Sequence, residues 1–247
     1  MISHIIPCLN QFEITVDLLD SLRRTTHDDY VGEIILIDNG SWDETAGIYN
    51  DYDIDLYVRN SENTGFPHAV NQGILLSKEE LICIWNNDMV CSPGWVQAML
   101  SHVQKVDYGM VTGTLTEPHE MALEDFKSFV SSETDNIILD WHKGGPWMFR
   151  RELFEKIGLF DEIFFPTQYE DSDIMLRMAL AGFKYGMIPG CKIYHHSALT
   201  QNRELLPKFG SFDYARENRA KFEAKWGTIH IDFEKAYLTG DYYGEPR

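Results

Sequence analysis

Residues 33–45 of the chain have the sequence EIILIDNGSWDET. The stretch begins as a short, continuous apolar run that ends on Asp38, a pattern typical of a strand buried within a parallel sheet. A Gly-Ser turn follows at once. Asp38 could simply favour that turn, with Asp43 capping the next helix. Alternatively, its carboxylate could accept a hydrogen bond from the ring N–H of a nucleobase such as uracil or thymine. Both interpretations stay open at this point.

Strand and helix patterns alternate on both sides of this stretch. Strand-like runs lie at residues 3–9, 33–38, 55–60, 81–88 and 108–115. Helical patterns separate them at residues 14–24, 42–52, 66–77 and 93–105. This order predicts an α/β fold with a mostly parallel sheet and helices on both of its faces. Ligands bind outside the carboxyl ends of such strands, so we expect Asp38 and Asp88, which end a run, and Asn63, which follows one, to converge there.

The second half of the chain has a different pattern. It starts with a polar, acidic segment and continues at residues 144–166 with two glycines, a strand, a short helix and an aromatic loop. An acidic cap then precedes a helix that should stop at Gly182, followed by two short strands and a helix that should end at Gly227. We find no internal repeat and no low-complexity linker. We therefore expect a single domain over residues 1–227 and a C-terminal tail over residues 228–247.

The composition restricts the classes of partner. The chain carries 21 Lys and Arg against 39 Asp and Glu, a formal net charge of −18. Such a surface repels phosphate backbones, so nucleic acid is a disfavoured partner and a phosphate-bearing ligand would need a cation to enter. Without a membrane-length apolar run or a signal peptide, the prediction is a cytoplasmic location with no stable membrane insertion. The four scattered cysteines are expected to be buried thiols in a reducing compartment.

The segment WNNDMV, residues 85–90, ends another strand-like run on Asp88. In isolation it could be a plain turn. Hard divalent cations such as Mg²⁺ or Mn²⁺ prefer oxygen ligands, keep some waters and bridge substrate phosphates. The Asp88 carboxylate and two nucleotide phosphates could therefore hold one ion, while the Asn87 amide could bond ribose or phosphate without adding charge.

The segment NTGFPHAVNQGI, residues 63–74, also allows two interpretations. Asn63 and Gly65 could form a turn, and Asn71 could cap the local backbone. A glycine followed by a helix of small residues can equally let the backbone approach a ligand closely.

Three acids, Glu170, Asp171 and Asp173, cluster at the start of a predicted helix. Capping and the helix dipole explain part of this cluster, and Asp173 lies four residues before Arg177, which suits an ion pair. They explain the adjacent Glu170–Asp171 pair less well, since neighbouring carboxylates repel each other. A carboxylate beside an acceptor hydroxyl would act as a general base. His195, followed by a second histidine, ends a strand, where one of the two could be a metal ligand.

Together these motifs resemble the family 2 nucleotide-sugar glycosyltransferases of the GT-A fold, especially the bacterial rhamnosyltransferase-like branch. IILIDNGSWDET is similar to the family's V-D-N-G-S-x-D-x-T segment, and WNNDMVCSPGW stands where the family has its D-x-D metal motif. The match runs from about residue 2 to residue 227. It implies a single Rossmann-like, mostly parallel sheet with helices on both faces and a smaller antiparallel sheet on the acceptor side. Residues 1–115 would bind the nucleotide sugar and residues 116–227 the acceptor.

The resemblance also implies a role for each residue of the site. Asp171 would be the catalytic base. Asp88 and His195 would hold Mn²⁺ or Mg²⁺. The nucleotide sugar would be bound, with Asp38 on the base, by Pro7, Asn10, Asp38, Asn63, Gly65, Asn71, Asn87 and Asp88. The acceptor would be bound by Glu170, Gly144, Gly145 and Trp147.

The implied reaction is a single displacement that inverts the anomeric carbon. A sugar would move from a UDP- or dTDP-sugar to a hydroxyl of a saccharide acceptor, as in polysaccharide biosynthesis. The metal would neutralise charge on the departing nucleoside diphosphate, and the base would take the proton of the attacking hydroxyl. A homo-oligomer and a peripheral position at the inner membrane surface both stay open.

One departure from the family pattern affects the proposed metal site. The first acid of D-x-D is Asn86 here, which weakens the case for tight metal binding, and His196 could replace His195 as the ligand. Two alternatives therefore stay open. One is a transferase of the same fold that acts on modified DNA bases or on protein. Its basic strip would consist of Lys208, Arg216, Arg219, Lys221 and Lys225. The other alternative is a non-catalytic module that binds a nucleotide sugar without turnover.

Overall fold

The computed structural model describes residues 1–27, 29–105, 108–131, 145–196, 203, 205, 208 and 213–227. The predicted tail, residues 228–247, lies outside this part. The described strands are β1 (Ile2–Cys8), β2 (Val31–Asp38), β3 (Leu56–Arg59), β4 (Leu81–Ile84), β5 (Met89–Cys91), β6 (Tyr108–Thr116), β7 (Trp147–Arg150) and β8 (Lys184–His195). They form one eight-stranded sheet in the order β3-β2-β1-β4-β7-β6-β8-β5.

The parallel half of the sheet is built from the apolar runs of the first 84 residues. β1 is buried along its whole length and pairs in parallel with β2 on one side and β4 on the other. β3 continues the parallel order beyond β2. The carboxyl ends of these strands therefore share one edge, where Asp38 stands opposite Cys8. With β6 and β8 also parallel, the predicted α/β fold with a mostly parallel sheet is confirmed.

The other half of the sheet mixes strand directions. β7 is antiparallel to β4 and β6, and β5 is antiparallel to β8. The antiparallel pairs expected on the acceptor side therefore extend the main sheet rather than forming a sheet of their own. The two short strands expected after Gly182 are one strand, β8, whose register against β6 shifts between Gly113 and Thr114. Pro189 lies at this irregularity and has no N–H for the ladder, which is why the sequence pattern is interrupted there.

The described α-helices are α1 (Phe12–Thr25), α2 (Phe66–Leu76), α3 (Trp95–Val103), α4 (Leu123–Phe126), α5 (Arg151–Ile157), α6 (Glu170–Leu180) and α7 (Asp213–Trp226). Residues 42–52, expected as a helix, contain a 3-10 helix over Glu44–Asn50. The Asp43 carboxylate caps it by accepting a hydrogen bond from the Thr45 N–H at 3.0 Å. This confirms the predicted capping role of Asp43.

Helices cover both faces of the sheet, as two neighbouring residues of β1 show. Ile6 packs in a cluster with Leu18 of α1 and Trp95 of α3. Ile5 packs in a second cluster with Val70 of α2 and Met175 of α6. Successive side chains of a strand point to opposite faces, so the two clusters lie on opposite sides of the sheet, as predicted.

The four cysteines are free thiols, and all of them are buried. Burial raises the pKa of Cys91 to about 12, so its thiol stays protonated. None of the helices described is both long and apolar enough to cross a bilayer.

Candidate active site

A cleft of about 370 Å³ opens at the carboxyl ends of the parallel strands. It collects side chains from distant parts of the chain. The predicted site residues that line it are Pro7, Asn63, Asn87, Asp88, Trp147, Glu170, Asp171 and His195. The fold therefore brings together residues predicted for the nucleotide sugar, for the metal and for the acceptor.

Asp88 and His195 meet on two adjacent strands. Asp88 directly precedes β5 and His195 ends β8, and the two strands pair with Met89 opposite His195. The Nε2 atom of His195 lies 3.5 Å from the Oδ1 atom of Asp88, with only 15% and 5% of the two side chains exposed. The His196 N–H donates to the Asp88 carbonyl oxygen at 2.9 Å. The sheet itself thus holds the pair in place.

Glu117 completes a row of three side chains. It follows β6, whose last residue pairs with Tyr194, so it stands beside His195. Its Oε1 atom lies 3.1 Å from the His195 Nδ1 atom. Glu117 was not among the predicted site residues, although its place just after the strand-like run 108–115 carries the same signal as Asp88.

The Asp88–His195 pair fits a divalent cation. A carboxylate oxygen and an imidazole nitrogen this close can both contact one small ion. The alternative ligand, His196, lies instead with its Nε2 atom 4.0 Å from the Asp17 carboxylate, and burial lowers its pKa. The described residues contain no cluster of three or more His, Cys, Asp or Glu arranged to hold a metal. Phosphate and water oxygens could supply further ligands.

The charge of the cleft is negative. Asp88, Glu117 and Asp171 line it, whereas its lining includes no Lys or Arg from the described part of the chain. A diphosphate in this cleft would be repelled unless a cation accompanied it.

The predicted acid pair, Glu170 and Asp171, begins α6, and its two carboxyl groups lie in different surroundings. Glu170 is buried, its Oε1 accepts a hydrogen bond from the Thr167 hydroxyl at 3.1 Å, and its Oε2 has no hydrogen-bond partner among the described residues. Burial, followed by the charge of Asp171, raises the pKa of Glu170 to about 8. Glu170 is therefore mostly neutral at pH 7, which relieves the repulsion expected between the two carboxylates. Asp171 is the partly exposed member of the pair.

The loop before α6, residues 158–169, is fastened to the nucleotide side of the sheet. The Phe66 N–H at the start of α2 donates to the Pro166 carbonyl oxygen at 2.7 Å. Gly65 makes this approach possible, because a Cβ there would lie 2.8 Å from the Phe165 ring and its φ is +89°. Gly65 does not itself line the cleft. Its contacts join the loop to α2, and its predicted role in binding the nucleotide sugar stays a prediction.

Asn71 fastens the same loop at a second point. Its amide donates to the Phe160 carbonyl oxygen at 2.9 Å and to the Glu162 carboxylate at 2.8 Å, and its oxygen accepts from the Phe160 N–H at 3.0 Å. Asn71 does not line the cleft. Its buried amide holds the loop against α2, and its predicted role in binding the nucleotide sugar stays a prediction.

Asp38 ends β2 as predicted but does not line the cleft. One carboxylate oxygen accepts from the Ser41 N–H at 2.7 Å. The other accepts from the Tyr57 hydroxyl at 2.7 Å and lies 3.6 Å from the Arg59 Nε atom. These contacts agree with the turn interpretation of EIILIDNGSWDET, and each Asp38 oxygen accepts a hydrogen bond within the chain. The contact with a nucleobase stays a prediction.

The next residue, Asn39, lines the cleft in place of Asp38. Its amide donates to the Asn63 side-chain oxygen at 3.0 Å and to the Gly65 carbonyl oxygen at 3.2 Å. Its own oxygen accepts from the Thr64 N–H at 3.1 Å and the Asn60 amide at 3.1 Å. Asn39 was missed in the sequence, although it follows the same strand end.

Of the three remaining predicted residues, Asn10 and Gly145 are described by the structure. Asn10 borders a neighbouring cavity with Trp42, and its carbonyl oxygen accepts a weak hydrogen bond from Asn87 at 3.4 Å. Gly145 stands two residues before Trp147, and a Cβ there would lie 3.2 Å from the Ile84 carbonyl oxygen. Gly144 lies outside the described residues.

Solved structures share the fold. A crystal structure of GalNAc-T7 with UDP, GalNAc and Mn²⁺ superposes with a TM-score of 0.70 at 15% sequence identity, covering 96% of this chain and 49% of that one. A structure of residues 1–349 of TarS from S. aureus gives a TM-score of 0.64 at 14% identity, covering 90% and 65%. At such identities the likeness concerns the fold alone.

The chain is also similar in sequence to several other proteins. The glycosyltransferase GlyG of Streptococcus pneumoniae is 25% identical over 203 residues, which are 74% of this chain and 66% of GlyG. The uncharacterized protein y4gI of Sinorhizobium fredii is 24% identical, covering 90% and 26%. The O-antigen biosynthesis protein RfbC of Myxococcus xanthus is 22% identical, covering 84% and 18%. The chain thus spans between 18% and 66% of the lengths of these relatives.

A family model covers most of the chain and includes the Asp88 segment. It is described as "Glycosyl transferase family 2" and matches residues 3–160. The match agrees with the fold and with the motifs found in the sequence, and the chain belongs to glycosyl transferase family 2.

Proposed function

We propose that this chain is an inverting, metal-assisted glycosyltransferase that moves a sugar from a UDP- or dTDP-sugar to a hydroxyl of a saccharide acceptor. The observation that carries the proposal is that one cleft contains both Asp171 and the Asp88–His195 pair. Such a transfer needs a base for the acceptor hydroxyl and stabilisation of the departing diphosphate. Residues 1–115 would hold the donor and residues 116–227 the acceptor.

Asp171 is the base in this proposal. Its Oδ1 atom accepts hydrogen bonds from the N–H of Ser172 at 2.6 Å and from the Ser172 hydroxyl at 3.3 Å, which orient the carboxylate. It takes the proton of the acceptor hydroxyl while that oxygen bonds to the anomeric carbon. The bond from this carbon to the diphosphate oxygen breaks in the same step, so the configuration inverts. The neutral carboxyl of Glu170 can donate a hydrogen bond to the acceptor, and Trp147 supplies an apolar wall.

Asp88 and His195 would hold Mn²⁺ or Mg²⁺ through one carboxylate oxygen and the Nε2 atom. When bound, the ion neutralises negative charge on the departing nucleoside diphosphate. Asn87 lines the cleft beside Asp88, and its amide is oriented by donation to the Thr15 hydroxyl at 3.0 Å. Together with Asn63 it offers neutral hydrogen-bonding groups for ribose or phosphate.

The names of the related proteins also support the proposed transfer of a sugar. GlyG is named a glycosyltransferase, RfbC an O-antigen biosynthesis protein, and a further relative, from Pasteurella multocida, a hyaluronan synthase. The GalNAc-T7 structure contains UDP, GalNAc and Mn²⁺. These names and contents favour a nucleotide-sugar donor, a divalent cation and a role in polysaccharide biosynthesis.

Modified DNA is the less favoured acceptor. Four residues of the predicted basic strip lie on α7, and two of them, Lys221 and Lys225, are held in contacts with other elements. The ammonium group of Lys225 lies 2.7 Å from Asp161 and 2.6 Å from Asp173, and that of Lys221 donates to the Ile163 carbonyl oxygen at 2.7 Å. With a net charge of −18, the chain offers little attraction for a phosphate backbone.

Thermal unfolding with a panel of nucleotides tests the donor and metal parts of the proposal. We expect UDP or dTDP to raise the Tm in the presence of Mn²⁺ and to raise it less in the presence of a chelator. Asp88→Ala and His195→Ala should each remove the metal-dependent part of this shift. Asp20→Ala, a change at an exposed residue of α1, should retain it. A metal-dependent shift that survives Asp88→Ala would rule out the assigned metal site.

Turnover needs a separate assay, with sugar nucleotides and saccharide acceptors supplied together. We expect release of the nucleoside diphosphate to depend on both substrates. If the chain binds nucleotide but releases no nucleoside diphosphate with any pair of donor and acceptor, the non-catalytic binding module would be favoured.

A further inference from the structure

We propose that Glu117 is a positioning residue that accepts the Nδ1–H of His195 and so keeps the His195 Nε2 atom available toward Asp88. The inference rests on the proposed function, because it deepens the account of the same metal site. Glu117 lines the cleft and lies outside the D-x-D-like segment.

Three neighbouring strands fix this row of side chains. The strands β6, β8 and β5 are adjacent in the sheet. Glu117 follows the end of β6, His195 ends β8, and Asp88 precedes the start of β5. The imidazole therefore lies between two carboxylates, with its Nδ1 atom 3.1 Å from Glu117 and its Nε2 atom 3.5 Å from Asp88.

The chemistry of imidazole explains why it matters which ring nitrogen faces which carboxylate. A neutral imidazole carries one proton, on either Nδ1 or Nε2, and the other nitrogen is the acceptor or metal ligand. An ionised carboxylate can only accept, so Glu117 favours the tautomer with the proton on Nδ1. The lone pair then lies on Nε2, the nitrogen next to Asp88. Histidine ligands are commonly oriented in this way by a carboxylate on their other nitrogen.

A competing arrangement is a charged His195 that bridges both carboxylates as a purely structural ion pair. The two distances argue against it. The Nδ1–Glu117 distance of 3.1 Å is within the range of an N–H···O hydrogen bond, whereas the Nε2–Asp88 distance of 3.5 Å is longer than that range. A hydrogen bond on one side and a longer contact on the other is the arrangement expected of an oriented ligand.

Mn²⁺ affinity in the presence of UDP, measured from the electron paramagnetic resonance signal of free Mn²⁺, tests the role. We expect Glu117→Ala to weaken Mn²⁺ binding about 10- to 100-fold. Glu117→Gln keeps an oxygen that can accept the Nδ1–H, so its loss should be clearly smaller. Asp125→Asn, which removes one negative charge from an exposed residue of α4, should bind Mn²⁺ like the wild type. An equal loss in Glu117→Ala and Glu117→Gln would overturn the positioning role.

The ¹⁵N chemical shifts of the His195 ring separate this inference from the proposed function, because they need neither metal nor nucleotide. At a pH at which the imidazole is neutral, we expect the Nδ1–H tautomer in the wild type and in Glu117→Gln. Glu117→Ala should shift the population toward the Nε2–H tautomer. An unchanged tautomer in Glu117→Ala would overturn the inference, even where the transferase assay succeeds. A wild type with the expected tautomer and no Mn²⁺ binding would instead contradict the proposed metal site.

Discussion

Asp173 accepts a hydrogen bond from the indole N–H of Trp226 at 2.9 Å, although 53 positions separate the two residues. The Asp173 side chain is fully buried, and it also contacts Arg177 at 2.9 Å and Lys225 at 2.6 Å. One carboxylate thereby ties α7 to α6, the helix that begins with the Glu170–Asp171 pair. The closing helix is in this way part of the scaffold that holds the cleft.

We expect Trp226→Phe to lower the free energy of unfolding by about 1.5–3 kcal/mol, because a donor to a buried, charged acceptor is lost while most of the ring area is kept. Urea unfolding measures the change. Trp42→Phe is the matched control, since Trp42 is 74% exposed, and it should change stability by less than about 0.5 kcal/mol. Equal effects of the two substitutions would show that the bond to Asp173 contributes little.

Gly65 should be sensitive to a single added methyl group. Its positive φ costs a side chain about 1–3 kcal/mol, and a Cβ would also meet the Phe165 ring at 2.8 Å. Gly94→Ala is the control, because Gly94 has a φ of +84° and nothing within 4 Å of the added Cβ. We expect Gly65→Ala to lower the free energy of unfolding by more than Gly94→Ala, by about 1–3 kcal/mol. If the two variants unfold alike in urea, the loop before α6 does not press on Gly65.

Local patterns predicted the fold and the convergence of polar residues at one edge of the sheet. Apolar runs that end on polar residues predicted a parallel sheet, and parallel strands bring their carboxyl ends to one edge. Asp88 and Asn63 met in the cleft for that reason. His195 joined them because β8 ends beside β5.

The rest depended on partners that no local pattern reveals. Asp38 looked available for a ligand, but the Tyr57 hydroxyl from the neighbouring strand β3 occupies one of its oxygens. The amide of Asn71 likewise donates a hydrogen bond to the carbonyl oxygen of Phe160, 89 positions away. Glu117 follows a strand-like run, as Asn63 does, but only the order of β6 and β8 in the sheet places it beside His195.

Glu170 should make stability depend on pH. Its pKa is about 8 in the folded chain against an ordinary value of 4.5, so the folded state holds a proton that the unfolded state has lost between these pH values. Stability from this group is therefore fully present below pH 4.5 and falls by roughly 1.4 kcal/mol per pH unit as the pH rises toward 8. Glu170→Gln, which mimics the protonated acid, should unfold with a flatter pH dependence between pH 5 and pH 8.

The control for this titration is Glu155→Gln, a change at an exposed residue of α5. It should leave the wild-type pH dependence in place. If the stability curves of Glu170→Gln and the wild type run parallel between pH 5 and pH 8, Glu170 is ionised in the folded protein. The assignment of Glu170 as the neutral member of the pair would then be wrong.

Asp171→Asn should separate transfer from binding. An amide cannot take the proton of the acceptor hydroxyl, so we expect kcat to fall about 10²- to 10⁴-fold, the usual contribution of a general base. Asp88 and His195 are untouched, and the affinity for UDP with Mn²⁺ should stay within about twofold, a change of no more than about 0.4 kcal/mol. Asp20→Asn, a change at an exposed residue of α1, controls for the lost charge and should keep full activity.

Transfer at the wild-type rate by Asp171→Asn would show that Asp171 is not the base. Because the charge of Asp171 is one cause of the raised Glu170 pKa, its removal would lower that pKa, and Glu170 would be the next carboxylate of the cleft to test.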